Sequence, residues 1–225
     1  MPDSELLNYL RGFITERRYE RIHNVVQQRT RYITIVLEDI FQTHNASAVL
    51  RTCDCLGIQD VYAIENRNRL QVNPEVALGA SKWLSLHEYR EPGARNELAA
   101  LEALRKAGYR IVATTPHQHG VLLPDFDLHA GKTALLFGTE LTGLSTSLIE
   151  QADEYLAVPM VGFTESFNIS VTAGIILHEL TARLRNSDIN WKLSEEEQLL
   201  LETDWVKGTI SDGERITRDF LSTRR

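Results

Sequence analysis

The chain has 225 residues, 43% of them hydrophobic, and a formal net charge of −7 at pH 7. This is enough for one sizeable core with additional helices. No apolar stretch approaches the ~20 residues that cross a bilayer, and the N-terminus lacks the basic and then apolar pattern of a secretion signal. The only cysteines, Cys53 and Cys55, cannot form a four-ligand zinc site alone, and there is no C-x-x-C. We therefore expect a protein of the reducing cytoplasm without a membrane span.

Basic residues are concentrated near the N-terminus. Apolar residues at helical spacing predict two helices within residues 4–28, and only two acidic residues, Glu16 and Glu20, lie between residues 11 and 31. The same stretch contains six arginines: Arg11, Arg17, Arg18, Arg21, Arg29 and Arg31. A solvated helical face and a nucleic-acid contact explain these arginines equally well.

From residue 32 onward, short apolar or β-branched runs alternate with helical patterns. The predicted strands are residues 32–37, 61–64, 84–89, 109–114, 132–137 and 155–158. The first predicted helix of this region begins near Ala48 and ends at Gly57. Two further helices are predicted at residues 96–107 and 168–185. A helical tail follows from Trp191, with Ser194 as its N-cap. This alternation predicts an α/β domain with a mostly parallel sheet and helices on both faces.

Two loops that follow apolar strands carry the most chemistry. The first, residues 136–145, holds Glu140 between two glycines, and the second, residues 157–171, places Ser166 and Asn168 at the start of a helix. Backbone N–H groups in such loops and helix starts are unpaired donors that attract small polar ligands. Because parallel strands end at the same edge of a sheet, the two loops predict a pocket.

Other patterns are less specific. The chain has no G-x-G-x-x-G fingerprint, no P-loop and no nucleophile elbow. His117 and His119 share a loop without an acidic partner at metal spacing, so a metal site is not expected. Asn45 and Arg51 follow a strand and could both approach the carboxyl edge of the sheet, where a guanidinium can hold a phosphate.

Taken singly, each of these residues also has a purely structural explanation. Arg51 could be a surface residue and Asn45 a helix cap. Glu140 could be an ordinary loop acid, and Ser166 and Asn168 could only cap the following helix.

Three motifs together resemble those of the SpoU-type RNA ribose 2′-O-methyltransferases, which belong to the SPOUT superfamily. They are N-x-x-x-x-x-R from Asn45 to Arg51, F-G-T-E-x-x-G from Phe137 to Gly143, and V-P-M-x-G-x-x-x-S-F-N-x-S from Val158 to Ser170. The motifs occur in the family's order, between about residues 31 and 185. The third motif usually reads S-L-N, and here Phe167 replaces the leucine.

The resemblance implies a parallel-sheet SPOUT fold with a C-terminal deep trefoil knot, an exception to the rule against knots. It implies a helical extension at residues 1–30, a methyltransferase core at 31–186 with the knot at roughly 134–186, and a helical tail at 187–225. It also implies a homodimer that binds S-adenosylmethionine without a metal. The implied cofactor contacts are Thr114, Gly138, Val158 and Phe167. The implied catalytic arginine is Arg51, and the polar residues around it are Asn45, Glu140, Ser166 and Asn168.

The flanking helices narrow the expected substrate. They are similar to those of family members that methylate guanosine 18 in the D-loop of tRNA, so tRNA is the expected partner. Another tRNA position, ribosomal RNA and a catalytically silent RNA-binding module remain alternatives. An oxidoreductase with an unusual nucleotide site is a further alternative, which the missing glycine fingerprint disfavours.

Overall fold

The computed structural model describes residues 4–116, 120–139 and 141–222. The chain divides into two compact units: one comprises the residues before 31 and after 191, and the other is Arg31–Trp191. Glu140, His117 and His119, which the sequence singles out, lie outside the described residues. In the described ranges, no helix combines the length and the apolar character needed to cross a membrane.

The second unit is built on a sheet whose strands all pair in parallel. Its strands are β1 Ile33–Glu38, β2 Asp60–Ile64, β3 Ser85–Tyr89, β4 Arg110–Thr114, β5 Val121–Leu122, β6 Thr133–Phe137 and β7 Glu154–Ala157. Within the part of the chain described, the seven strands lie in the order β3-β2-β1-β6-β4-β7-β5. Every residue of β1, β2 and β6 is buried, which explains their apolar runs without alternation. The predicted parallel α/β sheet is confirmed.

Helices cover both faces of this sheet and make up the first unit. In chain order they are α1 Ser4–Arg11, α2 Glu16–Val26, α3 Thr43–Leu56, α4 Pro74–Ala77, α5 Asn96–Lys106, α6 Thr146–Glu150, α7 Ile169–Arg185, α8 Glu195–Thr209 and α9 Gly213–Ser222. On one face of the sheet, α3 and α7 contribute buried residues such as Leu50 and Leu177 to the core. On the other face, α5 and α6 contribute Leu101 and Leu148.

Helix α3 begins earlier than its apolar pattern predicts. Its first turn starts at Thr43, so Asn45 lies in a helix instead of the predicted loop and is only 5% exposed. Polar residues build this turn, because the Ala46 N–H donates to the Gln42 carbonyl and the Ser47 hydroxyl donates to the Thr43 carbonyl. A turn held by polar contacts gives no hydrophobic periodicity to detect.

Two of the six N-terminal arginines are already engaged within the first unit. Arg29 is 1% exposed, and its guanidinium lies 5.0 Å from the centre of the Trp205 ring. Arg11 pairs with Glu16 at 3.1 Å. Arg17, Arg18 and Arg21 are exposed on α2: these three form the exposed basic face of the unit. The predicted capping box of Ser194 and Glu197 is confirmed.

A buried carboxylate ties the start of the second unit to its sheet. Asp60, at the start of β2, accepts a hydrogen bond from Arg31 Nε at 2.7 Å and lies 2.8 Å from His87 Nε2. Burial alone would raise the pKa of Asp60, but the contacts with His87 and Arg31 outweigh it and hold the pKa below the usual 3.8. The charged form is therefore favoured by folding.

We expect Asp60→Asn to lower the free energy of unfolding by about 2 kcal/mol at pH 7, because the partly exposed Arg31 guanidinium loses its carboxylate partner and the contact with His87 loses its charged acceptor. A lowered folded-state pKa stabilises the fold above pH 3.8, and this contribution is lost as the pH falls toward the folded-state value. The difference between variant and wild type, measured by urea denaturation, should thus shrink below pH 3.8. Glu88→Gln, which removes an exposed ion pair with Arg90, is the control. A difference that stays constant with pH would contradict this role.

Candidate active site

A cavity of about 220 Å³ lies at the carboxyl edge of the sheet, where β4, β6 and β7 end. Its wall contains the four residues that are predicted to contact the cofactor: Thr114, Gly138, Val158 and Phe167. Ser166 also lines the cavity. These residues come from the end of β4, the loop after β6 and the segment between β7 and α7. The fold therefore brings together residues that are up to fifty-three positions apart in the sequence.

The wall of this cavity is uncharged at every described position. Leu156, Ile169 and Ile176 supply apolar surface, while Thr139 and Thr142 add hydroxyl groups. Such a lining suits a flat apolar ring with polar atoms at its rim. It contains no lysine or arginine among the described residues.

The loop after β6 closes on itself as a small hairpin. Thr139 and Gly143 exchange two backbone hydrogen bonds, of 3.1 and 2.9 Å, and the hydroxyls of Thr139 and Thr142 lie 2.7 Å apart. A Cβ atom on Gly138 would lie 2.2 Å from the carbonyl carbon and oxygen of Gly143, which itself has φ +67°. The glycines of this motif are therefore required by the hairpin itself.

Thr114 is committed to the scaffold of the cavity. Its hydroxyl donates to the Leu136 carbonyl at 2.6 Å, and the next N–H, of Thr115, donates to the Leu156 carbonyl at 3.0 Å. These bonds tie the end of β4 to both neighbouring strands. Because the hydroxyl proton is already used, Thr114 can offer a ligand only its methyl group, its backbone and acceptor capacity.

A hydrogen bond connects the first and third motifs. Asn168 Nδ2 donates to Asn45 Oδ1 at 3.2 Å, and Asn45 Nδ2 in turn donates to Gln42 Oε1 at 2.8 Å. Asn168 is also the N-cap of α7, since its Oδ1 accepts from the Ser170 N–H at 2.8 Å and from the Ser170 hydroxyl at 2.6 Å. The structural explanation of Asn168 as a helix cap thus applies, whereas Asn45 lies inside the first turn of α3 and is not its cap. The bond between the two asparagines fixes the start of α7 against the start of α3.

A larger cleft of about 700 Å³ shares the β6 hairpin with the cavity. Asn45 lines this cleft. Glu38, the last residue of the buried β1, and Asp39, which follows it, line the cleft as well. Burial raises the pKa of Glu38, although its hydrogen bonds from Ser145 act in the opposite direction. Sequence reasoning missed this pair of acids, for which the signal was two carboxylates at the end of a fully buried strand.

Arg51 lies apart from both spaces. It is exposed and lines a groove of about 690 Å³ on the outer side of α3 and α7, together with His44, Cys55 and His178. Six residues along a helix correspond to roughly 9 Å, so Arg51 does not accompany Asn45 to the carboxyl edge. Of the predicted site residues that the structure describes, Arg51 is the one that is not gathered around the cavity or the cleft.

The sequence matches the SpoU rRNA methylase family over residues 32–178. The chain belongs to this family. The match spans the parallel sheet and the three motifs, and it ends within α7. The resemblance inferred from the motifs is therefore confirmed.

Known SpoU proteins are similar over most of the chain. The tRNA (guanosine(18)-2′-O)-methyltransferase of Borreliella burgdorferi is 41% identical over 206 residues, which are 92% of each chain. The A. aeolicus TrmH/SpoU tRNA modifying enzyme has a crystal structure that is 28% identical, with a TM-score of 0.76 over 87% of this chain and 98% of that one. AviRb of Streptomyces viridochromogenes, in complex with the cofactor AdoMet, shares the fold at 23% identity, with a TM-score of 0.58 over 73% of this chain and 65% of that one.

The hydrogen bond between Asn45 and Asn168 should couple the effects that replacing these two residues has on the free energy of unfolding. We expect Asn168→Ala to cost about 1–2 kcal/mol of unfolding free energy, because it also removes a helix cap, and Asn45→Ala to cost about 1 kcal/mol. The double variant should be less destabilised than the sum, by about 0.5–1 kcal/mol. Asn186→Ala, at the other end of α7, should be additive with Asn45→Ala. Full additivity of the first pair in urea denaturation would contradict the coupling.

Proposed function

We propose that this chain transfers a methyl group from S-adenosylmethionine to the ribose 2′-hydroxyl of guanosine 18 in tRNA. The observation that carries the proposal is the uncharged cavity, which gathers the motif positions Thr114, Gly138, Val158 and Phe167 at one sheet edge. The similarity to a guanosine-18 enzyme over 92% of both chains supports this choice of substrate. Because its substrate would be tRNA, we place the reaction in the cytoplasm.

The cavity fits S-adenosylmethionine in chemical character. Its apolar wall can enclose the adenine, and its backbone and hydroxyl groups can bind the ribose; Val158 and Phe167 are positioned on that wall. When bound there, this cofactor supplies an electrophilic methyl group on a sulfonium. The chain's own residues must then orient the ribose and accommodate the proton of its hydroxyl.

We assign the positioning of the ribose to the polar residues of the larger cleft. Asn45 and Asn168 are already hydrogen-bonded to each other at its border, so little rearrangement would be needed to present their amides. Ser166 lines the adjoining cavity. Glu140, the remaining polar residue of the motifs, stays a proposed member on the strength of the family resemblance.

Arg51 is the proposed catalytic arginine. A guanidinium keeps its proton in proteins, so it is a poor general base. We infer that Arg51 clamps the phosphate next to the target ribose, which orients the hydroxyl and stabilises its developing negative charge. Since its groove is separate from the cavity within one chain, a second copy is needed to bring the guanidinium to the reacting atoms.

This requirement supports the homodimer that the resemblance implies. Large apolar side chains are exposed beside the cavity and on α7: Val161 is 106% exposed, Phe163 108% and Val171 47%. Clusters of exposed apolar side chains mark surfaces that bind a partner. We propose that they are covered in a symmetric dimer.

The deep trefoil knot at roughly residues 134–186 is part of the same proposal. Its support is the strand order, in which β4 lies between β6 and β7, so the chain leaving β6 must pass across β4 to reach β7. A knotted wall would hold the loops after β6 and β7 close together without a disulfide.

Incubating the protein with bulk tRNA and labelled S-adenosylmethionine, followed by mapping of the methylated ribose, tests the substrate. We expect the label at guanosine 18 and none in a tRNA with 2′-deoxyguanosine at that position. A label at another tRNA position or only in ribosomal RNA would overturn the choice of site. Cofactor binding without any transfer would favour a catalytically silent RNA-binding protein.

Arg51→Ala should lower the methylation rate by about 10²–10³-fold, as expected when a group that stabilises developing charge is lost. Binding of S-adenosylmethionine, measured by calorimetry, should be unchanged because Arg51 does not line the cavity. Arg51→Lys keeps the charge but not the paired hydrogen bonds and should recover only part of the rate. Retained turnover in Arg51→Ala would remove this residue from the mechanism.

The exposed arginines of α2 are proposed to contact tRNA. Replacing Arg17 and Arg18 with alanine should weaken tRNA binding and reduce the slope of log affinity against log salt by about 0.7–0.9 for each lost phosphate contact. Both residues are exposed, so the helix content measured by circular dichroism should not change. An unchanged salt slope would assign these arginines to an ordinary solvated face.

A further inference from the structure

A second basic surface lies at the carboxyl edge of β2 and β3, far along the sequence from the N-terminal arginines. Residues 65–69 and 90–97 form a groove of about 520 Å³ there. Its lining includes four arginines, Arg67, Arg69, Arg90 and Arg95, against three glutamates, Glu65, Glu91 and Glu97. In a chain with a net charge of −7, such a concentration at one edge requires a physical explanation.

The buried acids next to this groove are turned toward the backbone. Asp39 is 8% exposed, and its Oδ1 accepts from the N–H groups of Arg67 and Asn68 at 2.7 and 3.1 Å. The Asn68 side chain returns a hydrogen bond to the Asp39 carbonyl at 2.9 Å. Glu65 is also 8% exposed and accepts from the Leu70 N–H at 2.9 Å. These bonds anchor both ends of the loop, so the course of its backbone is defined before a ligand arrives.

The guanidiniums of this loop face outward. Arg67 and Arg69 are exposed, and within residues 4–116, 120–139 and 141–222 their side chains have neither a hydrogen-bond nor an ion-pair partner. Arg90 and Arg95 are instead held by Glu88 at 3.1 Å and Glu97 at 3.2 Å. Two exposed guanidiniums without a partner among the described residues are suited to phosphate groups, which arginine holds by two parallel hydrogen bonds.

The groove continues into the larger cleft next to the cavity. Four residues line both spaces: Asn66, Arg67, Asn68 and Glu97. A polynucleotide that places one ribose in the cleft would therefore run its backbone directly past Arg67 and then Arg69. Contacts of this kind fix the register of a nucleic acid without reading its bases.

We propose that Arg67 and Arg69 form a phosphate-binding site for the RNA backbone next to the nucleotide to be methylated, with Asp39 as the residue that positions their loop. The inference rests on the proposed function, which it deepens by identifying where the strand leaves the site. It concerns the RNA partner alone, because the cavity for S-adenosylmethionine contains none of these residues.

The test is the double variant Arg67→Ala/Arg69→Ala, assayed as the full chain with tRNA and S-adenosylmethionine. We expect KM for tRNA to rise by about tenfold, with kcat nearly unchanged, as for the loss of binding that is equal in ground and transition states. The slope of log affinity against log salt should fall by about 0.7 per lost phosphate contact. Calorimetric binding of S-adenosylmethionine should match wild type.

The control Arg105→Ala/Lys106→Ala removes the same charge from two exposed residues at the opposite end of α5, and its KM and salt slope should match wild type. Asp39→Ala should reproduce part of the KM increase. Asp39→Asn should have the KM of the wild type, because asparagine keeps the acceptor oxygen and tolerates the φ of +50° at this position.

The outcomes separate this inference from the proposed function. If the wild-type chain does not methylate tRNA, the proposed function fails. If the wild type is active but the Arg67/Arg69 double variant has the KM and salt slope of the Arg105/Lys106 control, the phosphate site is refuted. If both double variants change KM and the salt slope equally, the cause is the net charge of the protein, and the phosphate site is refuted as well.

Discussion

Parallel pairing on both sides of β6 is the constraint on which the site depends. Leu37 of β1 and Ala113 of β4 are held in register with Phe137 and Leu136 of β6, and Thr114 is in register with Leu156 of β7. In parallel strands all carboxyl ends point the same way, so the segments that follow these four strands emerge at one edge. Motifs that are distant in the sequence become neighbours for this reason alone, before any side chain makes a specific contact.

The side-chain contacts then convert this common edge into defined spaces. The hydrogen bond between Asn45 and Asn168 sets the start of α7 against α3, and the bond from the Ser145 N–H to Glu38 at 2.7 Å sets the end of the β6 loop against β1. The cavity and the cleft lie on either side of the β6 hairpin, which lines both of them. Their separation therefore depends on the conformation of that hairpin.

Much of this architecture follows from local rules of sequence. Gly57 ends α3 with a φ of +80° and Ser194 begins α8, both as their residue types predict. Strands β1, β2 and β6 were recognisable because their apolar runs are buried on both faces. The roles of the site residues came from the family resemblance instead, because no local pattern distinguishes a catalytic Asn45 from a helix cap.

What could not be predicted depends on contacts between distant residues. The burial of Asn45 follows from a polar helical turn, and the separate groove of Arg51 follows from where α7 packs against α3. The fate of the N-terminal arginines also depends on tertiary contacts, since Arg29 is enclosed beside Trp205 while Arg17 is exposed. Net charge could not reveal this division, because it counts buried and exposed guanidiniums alike.

The close packing of Gly138 against Gly143 has a consequence for how a ligand reaches the cavity. The hairpin is closed by two backbone hydrogen bonds and has no room for an additional carbon on Gly138, so it is the more tightly held side of the cavity. The opposite rim, residues 161–168, is exposed at every position and has little buried surface to surrender when it moves. If a ligand occupies the cavity, its exchange would proceed past that rim, and a partner that covers Val161 and Phe163 would slow it.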